Sequence, residues 1–269
     1  MRTLSKMNLR NCLAALALVA SITGCATTEN ANPRDPWEGY NRGMFQVNET
    51  IDTVLIKPVA ISYDFILPEP IRILVTNFFS NIGDVMIGVN DLLQGRGEQA
   101  FNDLGRFVIN TTLGFGGLFD VAGNAGWYKN DNDFGVTFGR WGVPSGPYFV
   151  LPILGPSNVR DTFGWAADIA ASPIDLVVND PTAYYTLWGV RFLNTRANLL
   201  PAEKIIEEAA TDKYSYLRDA FMQNRLNLIH DGAPPPGLDT SEQTDEPAAG
   251  QPEKTSAEPK PADVGAGTQ

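Results

Sequence analysis

The feature that most constrains this fold is a run of apolar side chains at residues 71–93 that does not keep to one helical stripe. Ile71, Ile73, Leu74, Val75, Phe78, Phe79 and Ile82 are followed by Val85, Met86, Ile87, Val89, Leu92 and Leu93, spread round most of a helix. A surface helix of a water-soluble domain needs only one apolar face, so a helix like this is either deeply buried or turned toward lipid. No apolar run in the chain reaches the roughly 20 residues that a helix needs to cross a bilayer.

The first residues give the chain an address. Arg2, Lys6 and Arg10 precede an apolar run at 13–22 and then Thr23-Gly24-Cys25, which is the layout of a secretory signal. A cysteine directly after Gly24 places a thiol where diacylglycerol can be attached before cleavage. Residues 1–24 are therefore expected to leave, and Cys25 to become a lipidated N-terminus. Cys12 leaves with the leader, so the mature chain keeps neither a free thiol nor a disulfide. Ala26 follows the anchor where an aspartate would retain it. By the usual sorting of Gram-negative lipoproteins, that directs the chain to the outer membrane, anchored in its periplasmic leaflet.

Composition divides the remainder into zones. Residues 25–34 are small and polar and read as a lipidated tether. Residues 35–232 are aromatic, apolar and punctuated by Gly and Pro, so they read as one folded domain. Residues 233–269 hold seven prolines and no aromatic residue, an acidic tail that cannot bury enough surface to order itself. The leader carries three basic residues and no acid, and the tail carries seven acids and two lysines, so the stretch between them holds −9 of the total −11. Such a body is a poor partner for nucleic acid, which needs clustered Lys and Arg. It is equally unsuited to docking on anionic lipid by charge. Contact with a membrane has to be apolar.

Helix punctuation dominates the body. Pro70 suits a first helical position ahead of residues 71–82, Asp84 can cap a second helix over 85–93, and Gly95 closes it. Further helices are predicted over 99–112, 157–171, 182–199, 201–210 and 212–230. The last places Tyr214, Leu217, Phe221 and Leu228 on one stripe. A hairpin is the one strand signal, in the glycine-broken alternation at 135–154. The predicted fold class is mainly α.

Catalytic constellations are missing. His230 is the only histidine and sits at the edge of the tail, which leaves no Ser-His-Asp triad and no histidine metal site. There is no G-x-S-x-G elbow, Walker loop or dinucleotide fingerprint. Gly114-Phe115-Gly116-Gly117 lacks the lysine and spacing of a phosphate loop and reads as turn glycines. Asp131 and Asp133 read as a solvated loop. The sequence does not point to an enzyme, and it implies no cofactor and no metal.

Motifs spread along the whole body carry a resemblance. Asp35-Pro36-Trp37-Glu38-Gly39-Tyr40-Asn41-Arg42 with Met44-Phe45 is followed by Lys57-Pro58-Val59-Ala60 and Asn77-Phe78-Phe79-Ser80-Asn81. Leu92-Leu93-Gln94-Gly95 comes next, then Arg106-Phe107-Val108-Ile109-Asn110-Thr111-Thr112-Leu113-Gly114 and Gly117-Leu118-Phe119-Asp120-Val121-Ala122. Gly146-Pro147-Tyr148, Leu151-Pro152, Leu154-Gly155-Pro156-Ser157 and Arg160-Asp161 complete the series. In this order they resemble the MlaA (VacJ) phospholipid-transport lipoproteins.

The resemblance implies a ring-like helical domain lying in one leaflet of the outer membrane, beside trimeric porins, with a central amphipathic channel. It implies removal of mislocalised phospholipids from the outer leaflet and their transfer to the periplasmic carrier MlaC, which maintains lipid asymmetry. The alternative is a lipid-anchored porin-binding scaffold without transport. The family's glycine-rich channel loop corresponds to Gly142, Pro144 and Gly146. Pro144 stands where much of the family has glycine, and Arg140 where histidine is common. A gating segment is expected at Asn41, Arg42, Met44 and Phe45, and carrier docking at Tyr214, Leu217, Arg218, Phe221 and Arg225.

Overall fold

A computed structural model describes residues 34–235, so the expectations for the leader, for Cys25 and for nearly all of the tether and tail lie outside the described residues. The chain starts as one long helical rod: α1 (Glu38–Ile51), a π-helical turn (Asp52–Ile56) and α2 (Lys57–Ile66). Then come α3 (Glu69–Leu93), α4 (Gly97–Thr112), short α5 (Val121–Asn124) and α6 (Phe134–Arg140). The antiparallel hairpin β1 (Tyr148–Leu151) and β2 (Gly155–Asn158) pairs Tyr148 with Asn158 and Leu151 with Gly155. It is followed by α7 (Val159–Ala170), α8 (Pro173–Val177), α9 (Pro181–Asn198), α10 (Leu200–Ala209) and α11 (Lys213–Ile229). The chain is mainly α, as its punctuation predicts.

Several boundaries differ from these expectations. The helices expected at 71–82 and 85–93 are one helix, α3. Asp84 is not a cap: it lies mid-helix with its carboxylate fully buried, receiving a 2.6 Å hydrogen bond from Lys129. The helix expected from 157 starts at Val159, because Ser157 and Asn158 are spent on β2 and Asn158 then caps α7 through the Asp161 N–H. The hairpin occupies 148–158, since residues 134–140 are helical, capped by Asp133 at the Val136 N–H. Asp133 is thus a built residue rather than a solvated loop, while Asp131 is exposed. The rod at 38–66 has no counterpart among the predicted helices.

Burial is inverted relative to a water-soluble domain. Among the described residues, seventeen polar or charged side chains are buried against eleven hydrophobic ones, four of them alanine. Asp35, Asp84, Asp91 and Asp103 are completely inaccessible, whereas Phe65 is 89% exposed, Phe115 79%, Val177 74% and Phe101 72%. Soluble proteins almost never bury aspartate unless it is paired, and here each of the four has partners. Asn132 serves Asp91 and Asn130 serves Asp103, at 2.7 and 2.6 Å. Asn41 serves Asp35, also at 2.7 Å.

α3 shows the logic on one element. Ile71, Ile73, Leu92 and Leu93 are exposed; Asn81, Asp84, Asn90 and Asp91 are buried. Four apolar side chains turn outward and four polar ones inward, but Phe79 and Ile87 are buried beside the polar set, so the helix is neither wholly buried nor apolar only on its outside. No helix among the described residues is long and apolar enough to cross a membrane.

Candidate functional site

The principal concavity is a cavity of about 710 Å³ between α3, the 129–133 loop, α7 and α9. Its wall is mixed. Phe79, Ile82, Met86 and Ile87 come from α3, Trp165, Asp168 and Ile169 from α7, and Trp188, Arg191 and Asn194 from α9. A second cavity, about 460 Å³ and mainly apolar, lies between α1, the hairpin, α9, α10 and α11. A third, about 210 Å³, is lined by Asp133, Asp161, Trp165, Asp168, Phe221 and Arg225 among others. The cavities share walls in pairs. Trp165 and Asp168 face both the first and third, Leu154 and Pro156 the second and third, and Thr195 and Leu199 the first and second.

Charge at the junction of the first and third cavities is strongly organised. Arg225 donates to both Asp133 oxygens at 2.6 and 2.8 Å and reaches Asp161 at 2.9 Å. Burial opposes ionisation of Asp133, yet the hydrogen bonds and charge of Arg225 hold its carboxyl below the usual range. Asp168 has the opposite fate. Burial first and the Asp133 charge second push it up to about 7, against hydrogen bonds from the Phe134 N–H at 3.3 and 3.4 Å.

The residues expected for gating meet most of those expected for carrier docking in one cluster, while Arg225 lies apart with Asp133 and Asp161. Asn41 is buried; it donates to Asp35 at 2.7 Å and to the Tyr148 carbonyl at 3.2 Å, and accepts from the Val150 N–H at 2.9 Å. Arg42 donates to Glu38 and Asp212 at 2.7 and 2.8 Å and lies 4.5 Å from the Tyr214 ring centre. Its hydrogen bond holds Asp212 down at about 2. Met44 and Phe45 pack on Tyr148, Val150 and Tyr214, and Phe45 also lines the second cavity. Tyr214 and Arg218 are buried, the tyrosine hydroxyl donating to Asp35. Leu217 lines the second cavity, and Phe221 and Arg225 the third. All five residues on α11 therefore face inward.

The glycine loop stands apart from all three cavities. Gly142 ends α6: its N–H bonds the Gly139 carbonyl, the Val143 N–H bonds Phe138, and its φ is +88°. That is the left-handed glycine stop of a helix. Pro144 and Gly146 are exposed, and Gly146, with φ +67°, passes close to Val159. Arg140 donates to the Leu228 carbonyl at 2.9 Å, tying α6 to α11. The cavity-lining Trp165, Asp168, Trp188 and Arg191 were not singled out by sequence reasoning, because they belong to no motif. Their only signal is a mixed polar and aromatic face on two predicted helices.

The MlaA lipoprotein family model matches residues 33–228, nearly the whole described region. The chain belongs to the MlaA lipoprotein family. Among relatives, the intermembrane phospholipid transport system lipoprotein MlaA of Escherichia coli K12 is 35% identical over 227 residues, covering 82% of this chain and 89% of its own. That of Haemophilus influenzae is 32% identical over 234 residues, covering 84% and 93%. A solved chain, from work on the structural basis for maintenance of bacterial outer membrane lipid asymmetry, matches with a TM-score of 0.64 at 34% identity. It covers 72% of this MlaA-family chain and 98% of its own.

Proposed function

We propose that this MlaA-family chain removes mislocalised phospholipid from the outer leaflet of the outer membrane and hands it to a periplasmic carrier of the MlaC kind. The observation that carries this reading is the inverted burial around amphipathic cavities. Exposed Phe65, Phe101, Phe115 and Val177 suit acyl chains, and large apolar surfaces mark sites of membrane contact. A polar interior offers a headgroup a path that hydrocarbon does not. Pairwise shared walls among the three cavities support a ring around one lumen. Moving a lipid breaks no bond, which agrees with a transport family rather than a catalytic one.

Lipidation at Cys25 holds the domain in the periplasmic leaflet, and its apolar outer surface sits beside a trimeric porin. The cluster of Asn41, Arg42, Met44 and Phe45 against the hairpin and α11 sets the geometry of the second cavity, and so the ease of lipid passage. The loop of Gly142, Pro144 and Gly146 acts by fixing where α6 ends. For carrier docking, inward-facing Tyr214, Leu217, Arg218, Phe221 and Arg225 position α11, and its exposed Tyr216, Asp219 and Gln223 meet the carrier.

The test is labelling of outer-leaflet phospholipid in cells lacking this chain, with and without the restored wild-type gene. Surface phospholipid is expected to rise on loss and return on restoration. An unchanged surface would leave the porin-binding scaffold as the better account.

A further inference from the structure

Every charged group on the wall of the 710 Å³ cavity has an ion-pair partner among the described residues except three. Lys129 is neutralised by Asp84 at 2.6 Å and Asp133 by Arg225 at 2.6 Å. Asp131, Asp168 and Arg191 remain, and Arg191 is the only cation of the three. Among the described residues no carboxylate lies within salt-bridge distance of its guanidinium, and no hydrogen bond satisfies it. Its recorded contact is the ring of Trp188, one turn back on α9, 5.2 Å from the guanidinium carbon.

We propose that Arg191 is the site in this cavity that receives the phosphodiester of a glycerophospholipid, with Trp188 holding the guanidinium in place from below. This rests on the transport reading above and names the side chain that reads the headgroup. A guanidinium presents five donors in a planar fork, which matches two phosphate oxygens at once. Its neighbour Asn194 is already engaged. Asn194 is occupied on both sides, donating to Thr76 at 2.8 Å and accepting from Tyr63 at 3.0 Å. Phe79, Ile82, Met86 and Trp165 on the opposite walls offer the acyl part an apolar surface.

Two further observations agree with an anion at this point. Burial lowers the Arg191 pKa, as it does for a cation that has no carboxylate beside it to offset the desolvation. Asp168, the acid on the same wall, has its carboxyl pushed up to about 7, so much of the charge that would repel a phosphate is absent near neutral pH. A single unpaired cation suits transit: it is strong enough to admit a headgroup and too sparse to trap it.

The experiment titrates purified full-length lipoprotein in micelles with dioleoyl-phosphatidylglycerol, with dioleoylglycerol and with inorganic phosphate, followed by native mass spectrometry. Wild type is expected to hold the phospholipid, Arg191→Gln to bind it roughly tenfold more weakly, and Arg191→Lys to fall between them. Dioleoylglycerol, which has the same chains and no phosphate, should bind all three equally. The Tm of Arg191→Gln should equal or exceed that of wild type, because a structural arginine would lower it and an unpaired one does not.

Equal phospholipid binding by wild type and Arg191→Gln overturns the proposal and leaves the transport reading standing. Displacement of the lipid by inorganic phosphate at equal concentration overturns the lipid source and makes this a free-phosphate site. Failure of wild type to hold either lipid removes the transport reading together with the site.

Discussion

Asp168 carries the carboxyl that its surroundings change most usefully. Burial, with Asp133 behind it, raises it from 3.8 to about 7. Between those values the folded chain holds a proton that the unfolded chain releases, so stability falls as pH rises through this window. Asp168→Asn keeps an acceptor for the Phe134 N–H and removes the titration. Its Tm should exceed wild type above neutral pH by roughly 2–4 °C, the shift that about 1 kcal/mol produces, and the two should converge under acid conditions. Parallel curves would mean that folding leaves the Asp168 carboxyl where it is in the unfolded chain. Gly83 tests the cavity itself. A Cβ there meets only the Lys129 ammonium, at 3.7 Å, and leucine favours a helix by about 1 kcal/mol over glycine. Gly83→Leu should therefore accumulate normally and raise surface phospholipid; normal asymmetry would exclude this cavity as the route. Gly142→Leu should act differently, lowering protein abundance, because a left-handed φ costs a side chain ~1–2 kcal/mol.

At the scale of elements, the π-helical turn joining α1 to α2 is fixed by ions rather than by apolar packing. Arg196 on α9 donates to both Asp52 oxygens at 2.7 and 2.6 Å and to Glu203 on α10 at 2.6 Å. Lys57 reaches Glu203 at 3.2 Å, and Lys213 on α11 reaches Glu49 at 2.6 Å. Arg196→Ala leaves the largely buried Asp52 carboxylate without a cation, while Glu203 keeps Lys57, and should cost about 3 kcal/mol in urea unfolding. A loss below about 0.5 kcal/mol would place the network among exposed pairs. These contacts also show what a sequence reveals about elements. Pro70, Gly95 and Gly142 act on their own neighbours, so the end of α3, the turns and the mainly α class were legible. Asp84 and Asp133 looked like a cap and a loop, because their cations, Lys129 and Arg225, are 45 and 92 residues away. Trp188 and Arg191 were invisible for the same reason: a cavity wall is assembled from separate helices, and neither residue carries a local signal.

For the whole molecule, the governing fact is an apolar outside. Phe65 stands 89% exposed on α2, and the acidic body offers no electrostatic attraction to lipid. With the proposed anchor removed by Cys25→Ser, the domain should still float with phosphatidylcholine vesicles. Adding Phe65→Asp forfeits at least about 2 kcal/mol of apolar contact, roughly a thirtyfold weaker partition. Undiminished flotation would show that α2 faces something other than lipid. The buried aspartates and asparagines carry one more consequence, in heat capacity. Opening an ordinary domain hydrates apolar groups and raises heat capacity by roughly 12–15 cal/mol/K per residue, whereas hydrating polar groups lowers it. Opening this chain, in micelles that cover its outer face before and after, hydrates mainly carboxylates and amides. Its increment should fall below that range, giving a flat stability curve that neither cooling nor moderate warming bends.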